Sequence, residues 1–403
     1  MSKIAPLTGI RVLDLTAFVS GTTCTEQLAW LGAEVLKIER PEKGEQARYS
    51  IAEPGVDTTD FCLLNMNKRS LTCNMKSPEG LELIKKLVAK SDVLVENMSP
   101  GAIDRLGLGY EVCRELNPSL IYVQIKGFDM NGPYKDYPAF NSIAVAMGGM
   151  GARIGEKGGL PLITGPADPA SGHMAASAIL AALLLREKTG EGERIQVSMQ
   201  EAVMALCSMD YFAYNRTGKA PSRCGNEMGT NKVAPHYVYK CAPGGPNDYV
   251  QIYCSRHPGS HQFEDLCKVI GREDLITDER MKTPFTRYDN REYLNAAIEE
   301  WTSKRTKMEV TDILCKAGVP CGAVLDCEDL ANDEYMLKSG AIIEYEHPVK
   351  GVLRQPGYVP KMSGFKPDYK TSPALGEGNK EVYGGLLGLS DEELEELREK
   401  KVI

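Results

Sequence analysis

In the stretch PLITGPADPASG, Asp168 stands directly before Pro169, with glycines at 165 and 172 on either side. A proline fits the first turn of a helix, where its missing N–H has no partner to lose. The pair therefore predicts a helix start at 168–169 with a carboxylate at its mouth. Two roles suit that position. An aspartate there can cap the helix by accepting from its free backbone N–H groups. The same groups and the helix dipole can instead hold the carboxylate ionised. With glycines before it, such a carboxylate can be reached by a substrate and attack an activated acyl carbon. The local residues leave both roles open.

Other chemistries find no support. Gly149, Gly151 and Gly155 miss G-x-G-x-x-G by one residue and stand far from the first strand, so no nicotinamide fingerprint is present. G-x-x-x-x-G-K-[ST] and G-x-S-x-G are also absent. His257 and His261 are four apart, but Pro258 and Gly259 lie between them and no cysteine pair assists, so no metal site is expected. The 12 cysteines contain no C-x-x-C and read as reduced, packed thiols. With 47 Lys+Arg against 55 Asp+Glu, the net charge of -8 argues against a general nucleic-acid binder or a polybasic membrane-surface protein. The apolar run 174–185 stops at Arg186 and reads as a buried helix too short to span a bilayer. No signal peptide is legible in MSKIAPLTGIRVLDLT, so the expected location is cytoplasmic.

The elements that must position Asp168 follow from periodicity. Segment 10–16 is β-rich, 24–31 has helical spacing, and 34–39 (EVLKIE) returns as a strand. Residues 70–75 form a further strand, Ser77-Pro78-Glu79 opens a helix running to about 90, and DVLVEN at 92–97 is a strand again. SLIYVQIKGF supplies another, ending at Phe128. This alternation predicts a doubly wound α/β layer. After Gly148–Gly165 comes the long helix ended by Gly190, then a strand at 193–199 and a helix at 200–217. Residues 219–235 read as a linker. A second module follows, with strands at 237–241 and 249–254 and helices near 260–270, 291–302 and 307–317. Extended segments at 340–360 and a dipole-matched helix at 390–401 close the chain.

Seven spaced blocks carry a resemblance: PLTGIRVLDLT, LGAEVLKIERPEKGE, NKRSLTCNMKSPEG, DVLVENMSPGAIDRLGLGYE, GPADPASG, LLLREKTGEGERIQVSMQEAV and SPALGEGNKEV. In order and over nearly the whole length, they resemble the class III CoA-transferases, which include formyl-CoA and carnitine CoA-transferases and share a fold with 2-methylacyl-CoA racemases. The resemblance implies a Rossmann-like α/β large domain built from both chain ends, 1–220 and 330–403, and a smaller central α+β domain with linkers, 221–329. It implies an interlocked, ring-like homodimer, no prosthetic group, and coenzyme A thioesters and a small carboxylic acid as substrates. The family's nucleophile falls on Asp168. Its CoA-contacting positions fall on Phe18, Val19, Arg40, Cys73, Lys76, Asn97, Met98 and Arg105. An acidic protein must meet the phosphates of CoA with local cations, and Arg40, Lys68, Arg69, Lys76 and Arg105 stand at predicted strand ends and helix starts; of these, Lys68 is expected at the surface.

Departures from the family bear on substrate. The formyl/oxalate branch has a run of glycines in the small domain that closes over the aspartate; CGNEMGTNKVAPHYVYKC has only Gly225 and Gly229. VSGT at 19–22 replaces that branch's Q-A-G-P. Both argue against oxalate as acceptor and for a larger acid, with side chains at Asn226, Glu227, Met228 and Asn231 stiffening the lid. Glu227, if it points inward, would repel a dianion. Tyr211, Phe212 and Tyr214 are expected in the core rather than in an acyl pocket. A racemase would carry a His before an acidic residue in PAFNSIA, where Phe140 and Asn141 stand instead. The remaining rival is a CoA-binding protein without catalysis, against which the retained Asp168 argues.

Overall fold

Apolar side chains alternate along the first strands, and both phases of the alternation are buried. Val12, Val35, Val93, Val95 and Val123 pack into one core, while Leu13, Leu36, Leu71, Leu94 and Tyr122 pack into another. Strands buried on both faces belong in a parallel sheet covered by helices on either side. In a computed structural model, which describes residues 4–49, 57–227, 232–254 and 259–403, that sheet has six strands. They are β1 (Arg11–Leu15), β2 (Glu34–Glu39), β3 (Lys68–Thr72), β4 (Val93–Glu96), β5 (Ile121–Lys126) and β6 (Arg194–Ser198). All neighbours are parallel and the order is β3-β2-β1-β4-β5-β6. The chain winds from β1 outward to β3, then restarts beside β1 with β4 and winds the other way. This is the mixed α/β architecture with a central parallel sheet.

The chain divides into two units. One comprises Met1–Gly151, Ile163–Cys207 and Leu337–Ile403; the other comprises Ala152–Leu162 and Ser208–Met336. In the first, helix Ser20–Trp30 and the 23-residue helix Ala167–Thr189 cover one face of the sheet, packed on each other. The long helix ends where Gly190 takes φ 75°, a left-handed stop that glycine adopts freely. Among the described residues it is the one helix long and apolar enough to cross a membrane, because it extends well beyond the 12-residue apolar run that the sequence shows. Its buried stripe of Ala175, Ala176, Ile179, Ala182 and Leu183 belongs to the sheet's core.

Helix Pro78–Val88 covers the other face; Ser77 caps it by accepting from Gly80 N–H at 3.1 Å, with Pro78 in the first turn as predicted. The far end of the chain completes that face with Val382, Tyr383, Leu394, Val402 and Ile403. The antiparallel pair β10 (Ile342–His347) and β11 (Gly351–Pro356) forms its own small sheet. The predicted helix at 200–217 is two helices, Met199–Leu206 and Ser208–Thr217, and the division into units falls between Cys207 and Ser208.

The second unit holds an antiparallel sheet of β7 (His236–Lys240), β8 (Tyr249–Tyr253) and β9 (Cys321–Ala323). Helices Gln262–Ile270, Arg291–Thr302 and Lys307–Lys316 bury Phe263, Leu266, Leu294, Ile298 and Leu314 with Tyr239 and Ile252 of the sheet.

Candidate active site

Where neighbouring strands β1 and β4 send their connections in opposite directions, the loops after their carboxyl ends diverge and leave a crevice. Ala17, Phe18 and Val19 follow β1 there, and Asn97 and Met98 follow β4. The Asn97 side chain joins the two loops. Its Oδ1 accepts from Ala17 N–H at 2.9 Å, and its Nδ2 donates to the Ala17 carbonyl at 2.8 Å and to Ser20 Oγ at 3.0 Å. Phe18, 39% exposed, has φ 58°; a left-handed backbone costs a bulky residue roughly 1–2 kcal/mol. Thr22 Oγ1 donates to the Phe18 carbonyl and to that of Val19. Gly21 is required: a Cβ would stand 2.4 Å from Thr16 Cγ2 and 3.1 Å from Asn97 Cγ. Val19 is half-buried beside it, and Met98 packs against the second core.

Asp168 lies inside the helix Ala167–Thr189 and not at its cap, which is Pro166; no side-chain cap bond is made. The capping role offered by the sequence is thereby ruled out. Asp168 N–H donates to Asn141 Oδ1 at 3.0 Å, and Asn141 Nδ2 donates to the Gly165 carbonyl at 2.9 Å, so one amide side chain fixes the helix entry. Within its own unit, and among the described residues, the Asp168 carboxylate has no hydrogen-bond or ion-pair partner. Burial pushes its pKa up to about 6, against the ionising pull expected of a helix start. It remains mostly a carboxylate at neutral pH. One turn on, a Cβ at Gly172 would lie 2.5 Å from the Ser20 carbonyl oxygen. The absent side chain lets the aspartate's helix seat directly on the start of the helix that follows the Phe18 turn.

A second feature lies on the other side of the sheet's carboxyl edge. Met75, Lys76, Ser77, Pro78, Leu81, Ala102, Arg105 and Leu106 line an open cavity of about 710 Å³. It brings together two of the predicted cations, Lys76 and Arg105, both exposed; Arg40 is exposed after β2 and lies outside this lining. None of the three has an ion-pair partner among the described residues. Three other residues named from the sequence are engaged within the protein. Lys68 is not at the surface: it is buried and paired with Asp14 at 3.2 Å. Arg69 is bound to Glu381 at 2.7 Å and Glu34 at 3.5 Å. Cys73 is 2% exposed, its Sγ turned to the Gly80 carbonyl at 3.3 Å and its pKa pushed up to about 12 by burial.

In the second unit, Glu227 accepts from Tyr288 Oη at 2.9 Å and from Arg291 Nε at 3.0 Å, which hold its carboxyl below the usual range despite desolvation. Its charge is compensated there, contrary to the repulsion of a dianion considered from sequence. Tyr211, Phe212 and Tyr214 are 47%, 64% and 54% exposed, not core. Met228, Asn231 and His257 lie outside the described residues. Among the described residues no three His, Cys, Asp or Glu side chains are grouped to hold a metal ion. Sequence reasoning overlooked Asn141 as the residue that fixes the helix entry, and read Lys68 as a surface charge. Asp14 and Lys37, set between apolar residues in VLDL and VLKIE, were the available signal of buried charge.

Known proteins are similar to this chain over nearly its whole length. A formyl-CoA:oxalate CoA-transferase of Streptomyces avermitilis is 40% identical over 413 residues, covering 98% of this chain and 99% of its own. That of Escherichia coli O157:H7 is 38% identical over 420 residues, covering 99% of each. A CAIB/BAIF family protein from Brucella suis has a similar structure, with a TM-score of 0.83 at 30% identity over 95% of this chain and 99% of the other. A hypothetical protein from Mycobacterium tuberculosis gives 0.78 at 28% identity over 94% and 99%. Residues 7–379 match the description CoA-transferase family III. The chain belongs to that family and is a CoA-transferase.

Proposed function

We propose that this enzyme moves CoA reversibly between an acyl-CoA and a carboxylic acid, with Asp168 as covalent nucleophile. The carboxylate attacks the donor thioester carbonyl, the C–S bond breaks, and an aspartyl–acyl anhydride and CoA thiolate result. The thiolate attacks the aspartyl carbonyl, releasing the donor acid and leaving an aspartyl-CoA thioester. Acceptor carboxylate attacks that thioester, giving a new anhydride and thiolate. The thiolate then takes the acceptor acyl group and frees Asp168. Backbone N–H groups at the helix start suit the developing oxyanions.

The observation that carries this reading is the half-buried Asp168 carboxylate, which has no partner among the described residues of its own unit and lies one turn from the Gly172 contact with Ser20. A base held near pKa 6 is ionised at neutral pH yet weakly solvated, which favours nucleophilic attack. Phe18, Val19 and Met98 would meet the thioester end of CoA, and Lys76 and Arg105, with Arg40, its phosphates. Phe140 and Asn141, in place of the His and acidic residue of the racemases, argue against racemisation, which needs a second acid/base opposite the aspartate. The working form is an interlocked homodimer in the cytoplasm, with the large domain built from both ends of the chain.

Two readings of the acid acceptor stand. The relatives named above are formyl-CoA:oxalate CoA-transferases, which favours formyl-CoA and oxalate. The missing glycine run and VSGT at 19–22 favour a larger, branched, hydroxylated or aromatic acid. Steady-state comparison of oxalate, formate, succinate, a branched 2-hydroxy acid and an aryl acid separates them: highest kcat/KM with oxalate or formate defeats the second. For the mechanism, wild type is incubated with acyl-CoA, treated with hydroxylamine or borohydride, and mapped by peptide mass. Modification at Asp168 is expected; modification elsewhere overturns the assignment.

A further inference from the structure

We infer that Lys68 and Lys37 are positioning residues for the transfer, holding the Phe18 turn from beneath so that it presents its outer face beside Asp168. The inference rests on the proposed reaction at Asp168 and adds residues that touch neither substrate nor the reacting atoms.

The side chains of Asp14, Lys37 and Lys68 have no solvent exposure, and that of Glu45 has 4%. Asp14 Oδ1 accepts from Thr16 N–H at 2.9 Å and Thr16 Oγ1 at 2.6 Å; Oδ2 accepts from Thr25 Oγ1 at 2.7 Å and pairs with Lys68. Lys37, beside Asp14 in register, pairs with Glu45. Glu45 N–H donates to Glu39 Oε2 at 3.0 Å, and Arg48 Nε clamps the same oxygen at 2.7 Å. Removing such charges from water is costly, and apolar residues of similar size often serve stability as well or better. Stability is thus a weak reason for two ammonium groups here.

Their remaining bonds give a better one. Lys37 Nζ donates to the Thr16 carbonyl at 3.1 Å, and Lys68 Nζ donates to the Thr22 carbonyl at 3.2 Å and to Asn65 Oδ1 at 2.9 Å. Thr16 and Thr22 bracket the turn that contains Phe18. From the far side Asn97 holds Ala17 and Ser20. The left-handed Phe18 is therefore fixed at both ends and across its back. Ser20, its neighbour but one, carries the carbonyl on which Gly172 sits, one turn from Asp168. Loosening the turn would shift the thioester end of CoA against the nucleophile while leaving the Lys76–Arg105 cavity untouched.

Lys68→Met and Lys37→Met test this, with Asp14→Asn/Lys68→Met as a neutral pair that removes both charges of the Asp14–Lys68 pair together. Three quantities are read: amide hydrogen exchange by mass spectrometry, calorimetric affinity for CoA, and kcat with the donor–acceptor pair that wild type uses best. Exchange in peptides covering 16–23 is expected to rise at least about tenfold, with β4 and β5 peptides unchanged. Expected with it are a fall in kcat of at least about tenfold and a CoA Kd within about threefold of wild type. Unchanged exchange at 16–23, an equal rise across the sheet, or a loosened turn with undiminished kcat each overturns the inference. Should Lys68→Met not fold, the neutral pair and Lys37→Met decide it by the same readings. Absence of transfer in wild type would defeat the proposed reaction instead, and exchange with CoA affinity would still decide the turn.

Discussion

The two regions expected to meet CoA are built in opposite ways. The Phe18 turn rests on fully buried charges, has its backbone held at Thr16, Ala17 and Thr22 and its Ser20 hydroxyl held by Asn97, and exposes little beyond one aromatic ring. The cavity at Lys76 and Arg105 is open, and its cations are exposed and have no ion-pair partner among the described residues. Arg105 makes 3.5 Å contacts to the Pro100 carbonyl. A fixed turn suits the end of a ligand where bonds break, because a small misplacement there is costly. Exposed cations suit phosphates, whose recognition depends on charge and tolerates rearrangement. Affinity and turnover should therefore separate when the regions are altered in turn.

The sharpest break is at the nucleophile. Asp168→Ala is expected to lower kcat at least about a thousandfold while CoA still binds and the thermal transition stays cooperative; Asp168→Asn should be crippled as well. Near-normal turnover in the alanine variant would remove the covalent mechanism. Lys76→Ala and Arg105→Ala address the open region, each costing about 1.5–3 kcal/mol of CoA binding, or roughly ten- to a hundredfold in Kd. The loss should shrink toward dephospho-CoA for the residue that meets the 3′-phosphate. Unchanged affinity in both would detach the cavity from the nucleotide.

Gly172→Ala presses the fixed region directly. A methyl 2.5 Å from the Ser20 carbonyl oxygen must push the paired helices away from each other, at about 1–3 kcal/mol of stability, read by denaturant unfolding. Turnover should fall more than CoA affinity; a parallel fall in both would mean that the contact does not set the reacting end. Solution pH gives a smaller effect. Asp168 reacts as the carboxylate, and its pKa near 6 means that activity is lost as pH falls through that value. The rate at pH 5 should be about a tenth of that at pH 7, and a limb centred near 4 would contradict the burial of Asp168. Least of all, Glu227→Gln should change the preference between oxalate and monocarboxylates by less than about twofold, because Arg291 and Tyr288 already compensate that charge. A large gain for oxalate would show the carboxylate acting on the acceptor.

Regular elements were legible where a single period governed the residues. EVLKIE is β2 to the residue, and Ser77-Pro78 opens its helix where expected. Reading failed where one residue's environment overrode its type. Lys68 begins β3 although it looks like a loop cation, since its partner Asp14 lies on another strand. Cys73 fell among the ligand positions by motif alone, yet the fold turns its thiol into the core. The short π-helix Lys380–Leu386 was not anticipated, and packing of Val382 and Tyr383 on the sheet supplies what propensity lacks. Asp168 was recognisable from its neighbours, whereas Asn141, 27 positions away, was not.

The closure of the sheet's second face by the far end of the chain has a consequence during synthesis. Asn379 bonds Thr72 through its Oδ1 and Nδ2, and the Tyr383 hydroxyl donates to the Thr72 carbonyl, across separations of 307 and 311 residues. At roughly 5–20 residues per second, a ribosome needs about 15–60 s to make the intervening chain. Through that interval Leu71 and its neighbours on the nascent sheet lack the cover of Val382, Tyr383 and Leu394. An emerging chain with such an uncovered apolar face is a natural client for holding chaperones, and slower translation over the middle of the message would lengthen the exposure.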